Sequence, residues 1–133
     1  MTASALAGRA ADVIIEKLGE DVVELDLRGH SSLADYFVVA TATSTVHAQA
    51  LAEEVIERLK GEGERAYHVE GMENGQWVLL DYVDVVVHIF LSDVRQFYGL
   101  ERLWGDLPSR RIPSFNSDSR QDDSADGGAD RRL

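Results

Sequence analysis

Residues 77–90 read Trp77-Val-Leu-Leu-Asp-Tyr-Val-Asp-Val-Val-Val-His-Ile-Phe90. Two β-branched runs meet at Tyr82-Val83 between Asp81 and Asp84, and each is too short for a helix, so the stretch predicts a hairpin. A turn at Tyr82-Val83 sets Asp81 opposite Asp84, Leu79 opposite Val86 and Trp77 opposite His88. Side chains alternate across a sheet. One face therefore carries Val78, Leu80, Val85, Val87 and Ile89, wholly apolar, and belongs under helices. The other carries Trp77, Leu79, Asp81, Asp84, Val86 and His88. A large aromatic, aliphatics and carboxylates together suit a partner-binding surface better than a core or a merely solvated face.

Outward from the hairpin, periodicity predicts the remaining elements. Leu6, Ala10, Val13/Ile14 and Leu18 recur at helical spacing, with Gly19 as the stop. Val23, Leu25 and Leu27 alternate with Glu24, Asp26 and Arg28, as in a half-buried strand. Gly29–Asp35 is a polar loop. Tyr36–Ala42 is a nearly continuous apolar run, expected of a central strand covered on both sides. Ser44 caps a helix through Lys60 that buries Ala48, Leu51/Ala52, Val55 and Leu59. Arg65–Glu70 is extended, and Gly71–Gln76, with Asn74-Gly75, is a turn. A last helix from about Ser92 to Trp104 buries Val94, Phe97, Leu100 and Leu103 or Trp104. A strand-helix-strand crossover from Tyr36 to Glu70 implies at least one parallel pair, and the hairpin is antiparallel. The expected fold is α/β, a mixed five-stranded sheet flanked by helices.

After that helix the composition changes. Pro108 and Pro113 are followed by Ser, Asp, Arg and Gly with almost nothing apolar, a segment with too little to bury to offset its ordering entropy. The chain is thus expected to be one domain, residues 1–107, with a disordered tail over 108–133. There is no cysteine among the 133 residues, and the net charge is −11. From Ser109 onward five Arg and five Asp cancel, which leaves 8 basic and 19 acidic residues in the preceding domain. So acidic a domain repels phosphate backbones, so no direct nucleic-acid specificity is expected. It is drawn to basic protein surfaces. No apolar run approaches the roughly 20 residues that span a bilayer, and the start lacks the order of a signal peptide. The expectation is a soluble cytoplasmic protein with no membrane partner.

Catalytic chemistry finds little footing. Glu24 and Asp26 share a strand face and could hold magnesium for phosphoryl transfer, but that chemistry needs a phosphate-cradling loop, and Ala40-Thr-Ala-Thr-Ser-Thr45 contains no glycine. The simpler reading is the solvent side of an edge strand. The histidines His30, His47, His68 and His88 have no metal-ligand spacing. His88 with Asp81 and Asp84 has no evident nucleophile beside it, and reads as a hydrogen-bonded sheet residue. Ser31-Ser32 reads as a loop bonding its own backbone. No catalytic residue, metal ligand or cofactor is expected. The metal-dependent transferase remains the rival reading.

Taken together, Ser31-Ser-Leu-Ala-Asp-Tyr-Phe-Val-Val-Ala-Thr-Ala-Thr-Ser44, His47, Val69-Glu-Gly71, Trp77 through His88 and Tyr98-Gly-Leu-Glu-Arg-Leu-Trp104 resemble the ribosomal silencing factor family, also called the Iojap family, over roughly residues 5–106. The resemblance implies a nucleotidyltransferase-like α/β fold without the catalytic set. It implies a non-enzymatic repressor of translation that binds ribosomal protein L-fourteen on the large subunit and blocks joining of the small one. A large-subunit assembly factor is the alternative that binds the same partner earlier. Trp77, Asp81, Asp84 and His88 match the family's hairpin motif, and Glu70 and Gly71 the motif before it. Val83 stands where the family usually has Gly, and Ala42 and Val46 where it has Gly and Arg. The expected partner-binding set is Glu70, Trp77, Leu79, Asp81, Tyr82, Asp84, His88 and Tyr98, on a monomer or weak homodimer.

Overall fold

The computed structural model describes residues 1–98, 102, 105 and 107–113, and of Phe97 and Tyr98 the backbone alone. The elements are α1 (Ala3–Glu16), β1 (Glu20–Asp26), β2 (Tyr36–Ala42), α2 (Thr45–Gly61), β3 (His68–Glu70), β4 (Trp77–Asp81), β5 (Val85–Leu91), α3 (Ser92–Tyr98) and β6 (Ser109–Arg111). The strands form one mixed sheet in the order β3-β4-β5-β2-β1-β6. β2 and β5 pair in parallel, while every other neighbouring pair is antiparallel. Among the described residues the sheet has six strands rather than the expected five. The sixth comes from the segment expected to be disordered from 108 on; residues 114–133 lie outside the described residues.

β6 carries no apolar alternation, which is why its sequence does not announce a strand. It is held instead by what β1 offers along its edge. Asp26 N–H donates to the Pro108 carbonyl at 2.9 Å and Ile112 N–H to the Val22 carbonyl at 2.8 Å. Arg110 pairs with Glu24 at 2.9 Å and Arg111 with Asp21 at 3.3 Å. β1 is therefore not the edge strand that its alternating carboxylates suggest.

α1 and α2 cover one face of the sheet. Thr2 Oγ1 accepts from Ala5 N–H and starts α1, and the small residues Ala7, Ala10 and Ala11 let it lie close to α2 and the sheet. At its end Leu18, not Gly19, takes the left-handed conformation (φ 69°). Gly19 N–H returns to the Ile14 carbonyl at 2.8 Å, the six-to-one bond of a Schellman end. Ser44 caps α2, whose buried stripe Ala48, Leu51, Ala52, Val55 and Leu59 is the expected one. Between the helices, His47 accepts Thr43 N–H on Nδ1 and donates from Nε2 to the Lys17 carbonyl at 3.0 Å. Their stripes meet Val38, Ala40, Val78, Leu80, Val85, Val87 and Ile89 in the main core. α3 packs on the opposite face, where Val94 meets the smaller cluster of Leu25, Val39 and Phe90.

The hairpin forms, but it turns one residue later than expected. Tyr82 N–H donates to the Val85 carbonyl at 2.8 Å and Asp84 N–H to the Tyr82 carbonyl at 2.9 Å, so the tip is a γ-turn centred on Val83, at φ 75°. The pairs become Leu79–His88, Trp77–Phe90 and Asp81–Val86, in place of Leu79–Val86, Trp77–His88 and Asp81–Asp84. Moving the turn by one residue slides the strands by two. Because side chains have a period of two, the faces survive although each partner changes. Asp81 Oδ1 accepts Val83 N–H at 2.8 Å and braces the tip.

Val83 pays for this turn with a β-branched side chain at positive φ, a conformation that costs a non-glycine residue about 1–2 kcal/mol. Its side chain is largely exposed and contributes little burial. Val83→Gly should therefore raise stability by about 1 kcal/mol, after the extra chain entropy of glycine is subtracted. A higher urea midpoint at unchanged slope is the expected result; a lower midpoint would refute the strain.

Candidate functional site

Pairing register decides which side chains share the face opposite α1 and α2. The parallel register sets Phe37 beside Val86, Val39 beside His88 and Thr41 beside Phe90. The antiparallel registers add Trp77 beside Phe90, Leu79 beside His88, Glu70 beside Leu79 and His68 beside Asp81. α3 packs over β2 and β5 on this face. Its Arg95 is buried and donates to the Asp21 carbonyl at 3.0 Å and to Thr41 Oγ1 at 2.8 Å. The β3–β4–β5 part is more open. There Glu70 and His68 are exposed, Leu79, Asp81, Val86 and Phe37 are half-buried, and Trp77 is 36% exposed.

Beneath the surface lies an aromatic cluster. Phe90 lies 4.7 Å from Trp77 between ring centroids, and Phe37 meets His88 edge-on at 4.6 Å. Trp77 Nε1–H donates to His88 Nδ1 at 3.2 Å. An indole nitrogen can only donate, so Nδ1 accepts and the imidazole is neutral with its proton on Nε2. Burial pushes its pKa down to about 4. At the rim, His68 Nε2 and Glu70 Oε2 are 2.7 Å apart.

The structure brings five of the eight expected site residues onto this face: Glu70, Trp77, Leu79, Asp81 and His88. His88 is only 6% exposed, so it supports the face from below rather than meeting a partner. Tyr82 is a correction. The later turn keeps it in strand pairing with the parity of Val78 and Leu80, and it is buried on the helix-covered face. There burial, and secondarily Glu64, pushes its phenol up to about 12, and its hydroxyl has no hydrogen-bond partner among the described residues. Asp84 sits exposed at the hairpin tip, where its carbonyl accepts from Asp35 and Tyr36 N–H. Tyr98 ends α3, and its side chain lies outside the described residues, as do those of Phe97, Leu100, Leu103 and Trp104. Sequence reading missed Phe37 and Phe90 as members of this face. Their signal was parity: each sits an odd number of places from the core residue Val38 or Ile89, but only the parallel register says that they are neighbours.

The carboxylates considered for metal binding are otherwise engaged. Glu24 meets Arg110, and Arg28 hydrogen bonds hold the Asp26 carboxyl down at about 2. The described residues contain no group of three His, Asp or Glu side chains placed to hold a metal ion. They also contain no helix long and apolar enough to cross a membrane.

Fold and face together define an α/β protein with a mixed sheet, two helices on one side, and an aromatic and acidic half-face on the other. The family model described as "Ribosomal silencing factor during starvation" matches residues 1–132. The ribosomal silencing factor of Bacillus subtilis is 41% identical over 99 residues, 74% of this chain and 84% of that protein. A crystal structure of a protein from Chromobacterium violaceum superposes with a TM-score of 0.76 at 38% identity, covering 86% of this chain and 92% of that one. The mouse protein named "Mitochondrial assembly of ribosomal large subunit protein 1" is 29% identical over 87 residues, 63% of this chain and 38% of its own length. The chain belongs to the ribosomal silencing factor family.

The depressed His88 pKa has a definite sign. Between the ordinary 6.5 and about 4, the unfolded chain takes up a proton that the folded one refuses, so stability falls as pH falls through that window. The loss should reach about 3 kcal/mol at its acid end. Urea unfolding from pH 7 to 4 should show the wild type losing that much more than His88→Phe. Parallel pH profiles would contradict the buried neutral imidazole.

Proposed function

We propose that this protein is a non-enzymatic, cytoplasmic repressor of translation. It docks the open half-face of its sheet on ribosomal protein L-fourteen of the large subunit and obstructs joining of the small subunit. The observation that carries the reading is Trp77: a large aromatic, one-third exposed, stands over an aromatic cluster on a face that carries Glu70 and Asp81, with Asp84 exposed at the adjoining hairpin tip. Desolvated aromatic anchors inside a charged rim are how interfaces concentrate their energy. The acidity of the domain favours a basic protein partner and disfavours a bare phosphate backbone. Membership of a family named for ribosome silencing supports the same reading. No catalytic step is assigned, and no cofactor is required for a steric block.

A second reading, action during large-subunit assembly, is favoured by the name of the mouse relative. It uses the same face and differs in timing, since an assembly factor leaves before the mature subunit forms.

Purified protein should co-sediment with mature large subunits and not with small ones, more weakly as salt rises. Glu70→Lys with Asp84→Lys reverses two exposed rim charges that brace no turn. It should weaken large-subunit binding by about tenfold or more and restore subunit joining, with little change in melting temperature. Wild-type inhibition by the folded double variant would sink the docking face. Binding confined to immature particles would favour the assembly reading.

A further inference from the structure

We propose that His88 is the positioning residue of the docking face: it fixes the Trp77 indole and consumes its hydrogen-bond donor, so that Trp77 offers a partner only a rigid π surface. The inference rests on the docking reading above and adds the chemistry that the anchor accepts.

The geometry divides the labour between the two residues. Trp77 stands at the surface and His88 lies beneath it. Indole has a single donor, and that donor points inward to His88 Nδ1 at 3.2 Å. His88 is itself held in place, edge-on to Phe37 at 4.6 Å and parallel to Phe90 with centroids 5.8 Å apart and planes 2° apart. Phe90 also meets the Trp77 ring at 4.7 Å. The backbone under Trp77 is fixed as well. Gly71 is at φ 81°, and a Cβ there would lie 2.0 Å from the Trp77 carbonyl oxygen, so only glycine lets the β3–β4 turn close against it.

Two consequences follow for the partner. An indole already locked in one orientation loses little rotamer freedom on binding. An indole without a donor to give cannot recognise a carbonyl or carboxylate. What remains is an aliphatic or guanidinium surface laid on the ring, and carboxylates at Glu70 and Asp81 on the same face favour the guanidinium. The partner group opposite Trp77 is therefore an arginine, or an aliphatic stem bearing a cation.

Two isosteres separate the roles of His88 in the full chain. His88→Phe keeps an apolar ring and removes the acceptor. His88→Asn places an amide oxygen at the position of Nδ1 and removes the rest of the ring. The readouts are hydrogen exchange of the Trp77 indole N–H, assigned by its loss in Trp77→Phe, and affinity for purified large subunits. His88→Phe should speed indole exchange and weaken binding, each by about tenfold. His88→Asn should recover most of both despite a lower melting temperature. Trp77→Phe, which loses the same hydrogen bond, should weaken binding about as much as His88→Phe, and far less than Trp77→Ala. Unchanged exchange and affinity in His88→Phe would overturn the positioning role. Equal losses in Trp77→Phe and Trp77→Ala would overturn the donor-free anchor, because the partner would then be taking the indole N–H. If Trp77→Ala left affinity intact, the docking reading would fail, and with it the partner chemistry, while the exchange rates alone would still decide whether His88 holds the ring.

Discussion

The structure depends on the parallel pairing of β2 with β5, which runs from Tyr36–Val85 to Ala42–Leu91 through the middle of the sheet. Parallel strands need a crossover, and here α2, β3 and β4 intervene between them. The pairing sets the parity of both strands at once. Val38 and Ala40 join Val87 and Ile89 under α1 and α2, while Phe37 and Val39 join Val86 and His88 on the other side. The antiparallel registers of β4 and β3 then add Trp77, Leu79, Asp81 and Glu70 to that second side.

The two faces are built on different physical terms. The helix-covered face is apolar and closely packed: Val38, Val78, Leu80, Val87 and Ile89 are fully buried, and each such side chain contributes about 1.5–3 kcal/mol by its removal from water. The other face buries Leu25, Val39 and Phe90 but leaves an aromatic with an imidazole beneath it near the surface. The helix-covered side carries one polar cost in the Tyr82 hydroxyl, which has no partner among the described residues, and on the other face the cost is a neutral histidine. Its retention at the base of an exposed tryptophan fits a surface shaped for contact rather than for stability.

Much of this was legible in the sequence, and the failures are instructive. β2 and the buried stripe of α2 match the periodicity residue for residue, because a continuous apolar run and a 3.6-residue repeat are strong signals. The division of the hairpin into faces was also legible, since alternation does not depend on register. The register itself was not. Tyr82, expected at the turn and in the partner-binding set, is buried instead, because the turn accepts Val83 at positive φ, against the steric preference of a β-branched residue, and the tip moved by one position. β6 was not legible either. Ser109-Arg110-Arg111 is a strand only because β1 supplies a backbone edge together with Glu24 and Asp21, a long-range cause that no local pattern records. Glu24 and Asp26 form a pair in sequence but are held by separate arginines, Glu24 by the distant Arg110 and Asp26 by its near neighbour Arg28.

The central claim is that the sheet face bearing Trp77, and not the helical side, meets the ribosome. Hydroxyl-radical footprinting of the whole protein, free and bound to large subunits, tests it most directly. Oxidation of Trp77, Leu79 and Phe37 should fall on binding, while Leu18 and Val46, exposed on the helical side, should react as they do in the free protein. Protection of Leu18 and Val46 with Trp77 unchanged would contradict the account.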